Sequence, residues 1–210
     1  MNRGSGDDTE DLLNRVAAGD ATAVGELMTR YRNRLRQMIA VRLDPRLNPR
    51  IDPSDVIQDT LTEAARKLPE YLRDRPLPFY PWLRQIAWNH LVDLYRFHVG
   101  GRKRSVRREI GLSVNLSDES IDGLVRGLAA SESTPSQALL RSELKDRVRT
   151  ALTKLPDKYR DVLVLRHLEQ LTVEEVAAVL SIAEGTVKSR LFRGMTFLYD
   201  LLDEQSRRED

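Results

Sequence analysis

The residue types that carry most enzyme chemistry are either missing from this chain or scattered along it. There is no cysteine among the 210 residues, which removes disulfide scaffolds, Cys-ligated zinc, iron–sulfur sites and thiol nucleophiles. The three histidines, His90, His98 and His167, are widely separated and have no carboxylate cluster at metal-ligand spacing. No Gly-rich phosphate loop or nucleophile elbow is present. The sequence therefore predicts no enzyme, no catalytic residue, no metal site and no cofactor, and each histidine reads as a surface or half-buried helix residue. What remains legible is non-covalent chemistry, in which cations, hydroxyls and rings are grouped where nucleic acid could be held.

The most specific group is LTVEEVAAVLSIAEGTVKSRLFRGM near the C-terminus. A capped helix of about nine residues, a turn through Ser181 to Glu184 and a second helix opening at Gly185-Thr186 have helix-turn-helix spacing. At 100° per residue Val187, Leu191, Gly194, Met195 and Leu198 share one sector. Thr186, Ser189, Arg193 and Thr196 lie opposite, flanked by Lys188, Arg190 and Phe192. One side can pack while the other enters a major groove, where Arg can fork onto guanine and Lys and Ser can reach phosphates and base edges.

A second group lies earlier. Seven of the twelve aromatic residues, Tyr71, Phe79, Tyr80, Trp82, Trp88, Tyr95 and Phe97, fall within 27 positions. Between Asp93 and Glu109 follow Arg96, Arg102, Lys103, Arg104, Arg107 and Arg108 with no acid among them. Rings beside a basic stripe suit unstacked bases and a phosphate backbone, with Trp82 and Trp88 the rings expected to serve the core as well.

These groups need elements to hold them, and the apolar spacing is helical throughout. Residues 11–16 start a helix, Gly19-Asp20 ends it and caps the next, and Val24, Leu27, Tyr31, Leu35, Met38 and Leu43 recur at three- to four-residue steps. Asp52-Pro53 reads as an N-cap and first helical residue, with Asp55 in the first turn. Val56, Ile57, Leu61, Ala64, Ala65 and Leu68 follow, and Pro69 is expected just past the helix end. A Pro-rich loop over 71–81 should then lead to a helix from Trp82 to Phe97. Further on, Thr134-Pro135-Ser136-Gln137 opens a helix carrying Leu140, Leu144, Val148, Ala151 and Leu155. Pro156 restarts the chain before Tyr159, Val162, Leu163 and Leu165, Thr172 to Glu175 forms a capping box, and the last helix spans 185–202.

Charge divides the chain the same way. The formal +2 conceals +6 over residues 1–108, −4 over 109–135 and zero over 136–210. The middle stretch is rich in Ser and Gly, lacks aromatics and is too long for an ordinary connection. The expectation is all-α: two small helical domains, 1–108 and 136–210, joined by a flexible acidic linker. No apolar run approaches the ~20 residues that span a bilayer and the N-terminus is not signal-like, so the chain is expected to be soluble and cytoplasmic, without membrane insertion.

Four motifs in this order resemble the bacterial RNA polymerase sigma factors of the sigma-70 family, in particular the extracytoplasmic-function (ECF) group. They are Asp52-x-x-Asp55-Val-Ile-Gln58-Asp59, Phe79-Tyr-Pro-Trp-Leu83 running on to Asn89, Asp93 and Arg96, Leu155-Pro156, and Gly185-Thr-Val-Lys-Ser-Arg-Leu-Phe-Arg193. The resemblance implies a non-catalytic initiation subunit. Residues 1–108 would be sigma domain two, with Asp55, Gln58 and Asp59 docking on the beta-prime coiled coil of core polymerase. The loop from about Lys67 to Pro78 and the helix from Phe79 would capture a flipped base of the minus-ten element, with Trp82 and Asn89 tied to strand opening. Arg96, Arg102, Lys103 and Arg104 would add DNA contacts. Residues 136–210 would be sigma domain four, with Thr186, Lys188, Ser189, Arg190, Phe192 and Arg193 on the minus-thirty-five element. The linker would run near the RNA exit path, and an anti-sigma factor would be a further partner.

Three departures stand out: Gly194-Met195 replaces the usual Ala and basic residue, Leu61 and Ala65 replace aromatic ones, and the linker is long for the group. The first predicts one phosphate contact fewer and helix propensity lower by about 1 kcal/mol. Two other readings remain open on sequence alone: a helix-turn-helix repressor or activator without sigma activity, and a degenerate sigma-like binding module. The first has no need for the aromatic-basic block at 71–108.

Overall fold

A computed structural model describes residues 4–43, 51–99, 121 and 135–209, and all regular structure among them is helical. The elements are α1 (Gly4–Ala17), α2 (Ala21–Arg42), α3 (Pro53–Asp74), α4 (Phe79–Val99), α5 (Pro135–Lys154), α6 (Asp157–Leu163), a π-helical turn (Val164–Leu168), α7 (Val173–Leu180) and α8 (Glu184–Glu209). The described residues fall into two compact units, one within 1–39 and 45–106, the other within 40–44 and 107–210.

In the first unit the caps are where the sequence puts them. Gly19 takes φ +90°, and Asp20 accepts from the Thr22 and Ala23 amides at 2.9 and 3.3 Å. Asp52 accepts from the Ser54 amide at 2.7 Å ahead of Pro53. The core is built from Leu27, Leu35, Met38 and Ile39 of α2, Ile57 and Leu68 of α3, and Leu83 and Leu91 of α4, all nearly inaccessible to solvent.

Pro69 does not end α3. The helix carries it internally and runs to Asp74, closing on Arg75 in the left-handed region at φ 37°. Proline removes one backbone hydrogen bond, yet Leu68 before it and Tyr71 after it are both buried, and that burial holds the last turn together. The stretch expected as a long loop is therefore mostly helix, α4 begins at Phe79, and only residues 75–78 connect the two. This connection is pinned by Tyr71, whose hydroxyl donates to the Leu77 carbonyl at 3.1 Å. Burial pushes the Tyr71 phenol up to about 12.

The second unit packs Val148, Ala151, Leu152 and Leu155 of α5 against Leu163, Val164 and Leu168, and against Leu198 and Leu202 of α8. Ile121, the one described residue between 100 and 134, is buried in this same cluster. After α6 the chain widens into the π turn, with the Glu169 amide donating to the Val164 carbonyl at 2.9 Å. Such single-turn widenings interrupt an α-helix without unfolding it, and here Leu165, Leu168 and Leu171 all stay buried through it. The Thr172–Glu175 capping box forms in full, at 3.1 and 2.8 Å, and α7 ends on Ser181 at φ 53°.

The Glu63 carboxylate of α3 reaches α4. Glu63 takes Lys67 at 2.5 Å, and His90 Nε2 lies 2.5 Å from its other oxygen. Lys67 first and then His90 hold the Glu63 carboxyl below its usual range. A lowered carboxyl adds stability that is present above its unfolded value and lost as pH falls through the lower folded one. Glu63→Gln should therefore lower stability near neutral pH by about 0.2–1 kcal/mol, as expected of a pair this exposed, and the deficit should vanish in acid. Denaturant titrations across the carboxylate range check this, and a deficit independent of pH would contradict it.

Candidate nucleic-acid interface

On α4 the residues singled out by sequence line up. Trp82, Asn89 and Arg96 are seven residues apart, so they drift by only about 20° per step and form a stripe about 21 Å long. Gln85 and Asp93 share this exposed side, whereas Leu83, Ala87, Leu91 and Tyr95 face the core. Arg96 pairs with Asp93 at 3.2 Å within the stripe.

The rotation of α4 is set by rings at its start. Tyr31 of α2 stacks on Tyr80 at 5.7 Å and tilts on Phe79 at 5.1 Å, and Tyr71 of α3 meets Phe79 at 5.5 Å and Trp82 at 4.5 Å. The Arg34 guanidinium lies over Tyr80 at 3.6 Å. Core duty thus falls on Tyr71, Phe79, Tyr80 and Tyr95, which are buried. The two tryptophans expected to serve the core are only half-buried, because each stands at the edge of the packed face. Trp82 leans on the cluster with part of its indole still open, and Trp88 lies under the Arg84 guanidinium at 5.8 Å. Phe97 is 84 % exposed at the far end of the helix, directly before the run holding Arg102, Lys103 and Arg104, which lies outside the described residues.

Asp55, Gln58 and Asp59 are all exposed. At i, i+3 and i+4 they form one acidic patch on α3, on the side away from Val56, Ile57, Thr60, Leu61, Ala64, Leu68 and Tyr71, which are buried. Leu61 is thereby accounted for as a core residue.

In the second unit α7, the Ser181 turn and α8 form the helix-turn-helix. The Ile182 amide donates to the Ala177 carbonyl at 3.1 Å and the Val187 amide to that of Ala183 at 3.1 Å, so backbone bonds close the turn. Val187 and Leu198 are fully buried, with Leu191 and Met195 packed against the core. Thr186, Lys188, Ser189, Phe192 and Arg193 are exposed and Arg190 partly so. Phe192 stands 76 % exposed, an apolar group suited to a thymine methyl. Gly194 is not on this face. It is buried, and a Cβ there would stand 3.3 Å from Leu163 Cδ1 and Tyr159 Cβ. The missing side chain is what lets α6 and α8 approach, and Met195 goes to the core rather than to solvent.

Sequence reasoning passed over Lys158 and read Tyr159 only as an apolar position of a short helix. With Gly185, Thr186, Ser189, Arg190 and Arg193 they line a cavity of about 320 Å³. Nothing in the local pattern of α6 marks them, because the cavity exists only once α6 lies beside α8. His90, His98 and His167 are each half-buried. Burial, reinforced by Arg166, holds the His167 imidazole below its usual value. Among the described residues no three His, Cys, Asp or Glu are placed to hold a metal ion, and no helix is long and apolar enough to cross a membrane.

Comparison with known proteins matches both units. The family described as Sigma-70 region 2 matches residues 27–99 and that described as Sigma-70, region 4 matches 145–198. The chain is similar to RNA polymerase sigma factor CnrH of Cupriavidus metallidurans, 34 % identical over 93 % of this chain and 94 % of that one. It is also similar to ECF RNA polymerase sigma factor SigW of Bacillus subtilis, 26 % identical over 87 % and 90 %. The ECF RNA polymerase sigma-E factor of Escherichia coli K12 is 29 % identical over 87 % of each chain. Among solved structures, CnrH in complex with the cytosolic domain of CnrY matches with a TM-score of 0.52 at 28 % identity, covering 92 % of this chain and 96 % of that one.

The α6–α8 approach can be tested directly. Gly194→Ala should stay within about 1 kcal/mol of the parent, its gain in helix propensity offset by tight contacts. Gly194→Leu should cost about 1–3 kcal/mol in denaturant unfolding, and a Leu variant as stable as the parent would contradict the packing.

Proposed function

The chain belongs to the sigma-70 family of RNA polymerase sigma factors, and from that premise we propose how its two units divide the work of initiation. It is a regulatory DNA-binding protein that directs core RNA polymerase to promoter DNA. The first unit is sigma domain two. Its acidic patch on α3, Asp55, Gln58 and Asp59, takes the beta-prime coiled coil, and its α4 stripe, Trp82, Asn89 and Arg96, takes the minus-ten element and assists opening by holding unstacked bases, with Arg102, Lys103 and Arg104 continuing onto DNA. The second unit is sigma domain four, and Thr186, Lys188, Ser189, Arg190, Phe192 and Arg193 read the minus-thirty-five element.

One observation carries this division: among the described residues of each unit the apolar face packs into the core, and the opposite face bears Asp55, Gln58, Asp59, Trp82, Asn89 and Arg96 in the first unit and Thr186, Lys188, Ser189, Arg190, Phe192 and Arg193 in the second. A helix-turn-helix repressor would account for the second unit but gives the half-open rings of α4 nothing to do. The resemblance to CnrH, solved with the cytosolic domain of CnrY, supports an anti-sigma partner for this chain as well, to be sought by co-purification from its own cell.

Added to core polymerase, the purified protein should yield run-off transcripts from a subset of a promoter library. Failure to form a complex with core would reject the reading. Asp55→Arg with Asp59→Arg should weaken that complex at least about tenfold, the scale of truncating hydrogen-bonded charges at an interface. Arg193→Ala should weaken upstream-element binding by about 1–3 kcal/mol, whereas Trp82→Ala should spare duplex binding and impair opening, losing about 1–3 kcal/mol of base stacking. Equal losses at both steps in both variants would contradict the division of labour.

A further inference from the structure

We propose that the cavity between α6 and the start of α8 seats one phosphate of the promoter backbone, held by Lys158 together with Arg190 and Arg193. The DNA interface then continues from the reading helix onto α6. This rests on the assignment of α8 to the major groove.

The lining decides the chemistry of the occupant. Three cations converge on the cavity with the hydroxyls of Thr186, Ser189 and Tyr159, and no carboxylate lines it. The nearest acids by sequence are engaged elsewhere: Asp157 with Arg160 at 2.5 Å, and Glu184 with Lys188 at 3.7 Å. Like charges brought together repel, and an anion between them removes that cost. Cations with hydroxyls are also the side chains that grip phosphate oxygens.

The cavity wall is packed from behind. Tyr159 is buried, its ring 5.3 Å from Phe197 and its Cβ against the backbone of Gly194. The Lys158 ammonium lies 4.9 Å from the Tyr159 ring. Burial alone would raise the Tyr159 phenol, but hydrogen bonds from Arg193 and Lys158 leave it below its ordinary value. Tyr159 thus lines the cavity together with both cations.

Groove dimensions then place a phosphate there. A helix with its side chains is about 10–12 Å across, and the major groove is about 12 Å wide. A helix that fills the groove leaves the bounding phosphates against whatever flanks it, and the flank of α8 at its N-terminal end is Lys158.

A phosphate contact carries no base information, so its loss is uniform across sequences and lowers the salt dependence. In holoenzyme bound to promoter duplexes, Lys158→Gln should weaken binding about three- to tenfold on every upstream-element variant and reduce the slope of log affinity against log salt by about 1. A single methylphosphonate at that phosphate should cost the parent at least the same factor, and should cost the Lys158→Gln holoenzyme less than the parent, by the share that Lys158 contributes. Lys158 is exposed, and an unchanged melting temperature confirms that the variant is folded.

If Lys158→Gln matches the parent in both measurements while Lys188→Ala alters upstream-element binding, the phosphate seat is wrong and the groove assignment stands. If Lys188→Ala and Arg193→Ala are also silent, the groove assignment fails and takes the seat with it. Inorganic phosphate at matched ionic strength should compete no better than chloride. Competition in the parent that Lys158→Gln abolishes would reassign the cavity to free phosphate and overturn the proposal.

Discussion

The packing of five rings, Tyr31, Tyr71, Phe79, Tyr80 and Trp82, at the start of α4 fixes which residues of that helix the first unit leaves on its solvent side. A helix has one rotational freedom about its axis, and a turn at its beginning that is locked by neighbours from α2 and α3 removes it. Aromatic pairs add about 0.5–1.5 kcal/mol each beyond the area they bury, so the lock is strong relative to the marginal stability of a small unit. Once it is made, positions 82, 89 and 96 must fall on the solvent side and positions 83, 87 and 91 on the core side. The half-exposure of Trp82 follows from the same lock, since its indole is both the outermost ring of the cluster and the first residue of the stripe.

The second unit solves the same problem with smaller parts. Here the bare backbone of Gly194 brings α8 onto α6, and that approach determines which arc of α8 is left for contact. The substitution that looks like a weakness on a helix wheel, a glycine and a methionine where a cation could have stood, is the price of that approach. Tyr159, beside Gly194 in that approach, lines the cavity with Arg193 and Lys158.

Much of this was legible in the residues. Asp52-Pro53 and Thr172 to Glu175 cap helices by local hydrogen bonds that any chain with those residues can make, and the α8 face followed from a 100° period. What was not legible depended on tertiary burial. Pro69 is a helix breaker by its own chemistry, and only the burial of Leu68 and Tyr71 around it keeps α3 going to Asp74. The π turn at Val164 answers to the core it must stay packed against. Lys158 carries no local signal, because its significance lies in what α8 brings to it. The candidate faces could be read because periodicity marks one helix at a time, whereas the cavity needs two helices at once.

The central claim is that these two solvent faces meet two different promoter elements. A photo-cross-linking amino acid placed at Gln85 on α4 and, separately, at Thr196 on α8, both exposed, tests it most directly in a holoenzyme–promoter complex. Cross-links from position 85 should map to the minus-ten region and those from position 196 to the minus-thirty-five region. Cross-links from both positions to one element, or to polymerase alone, would contradict the account.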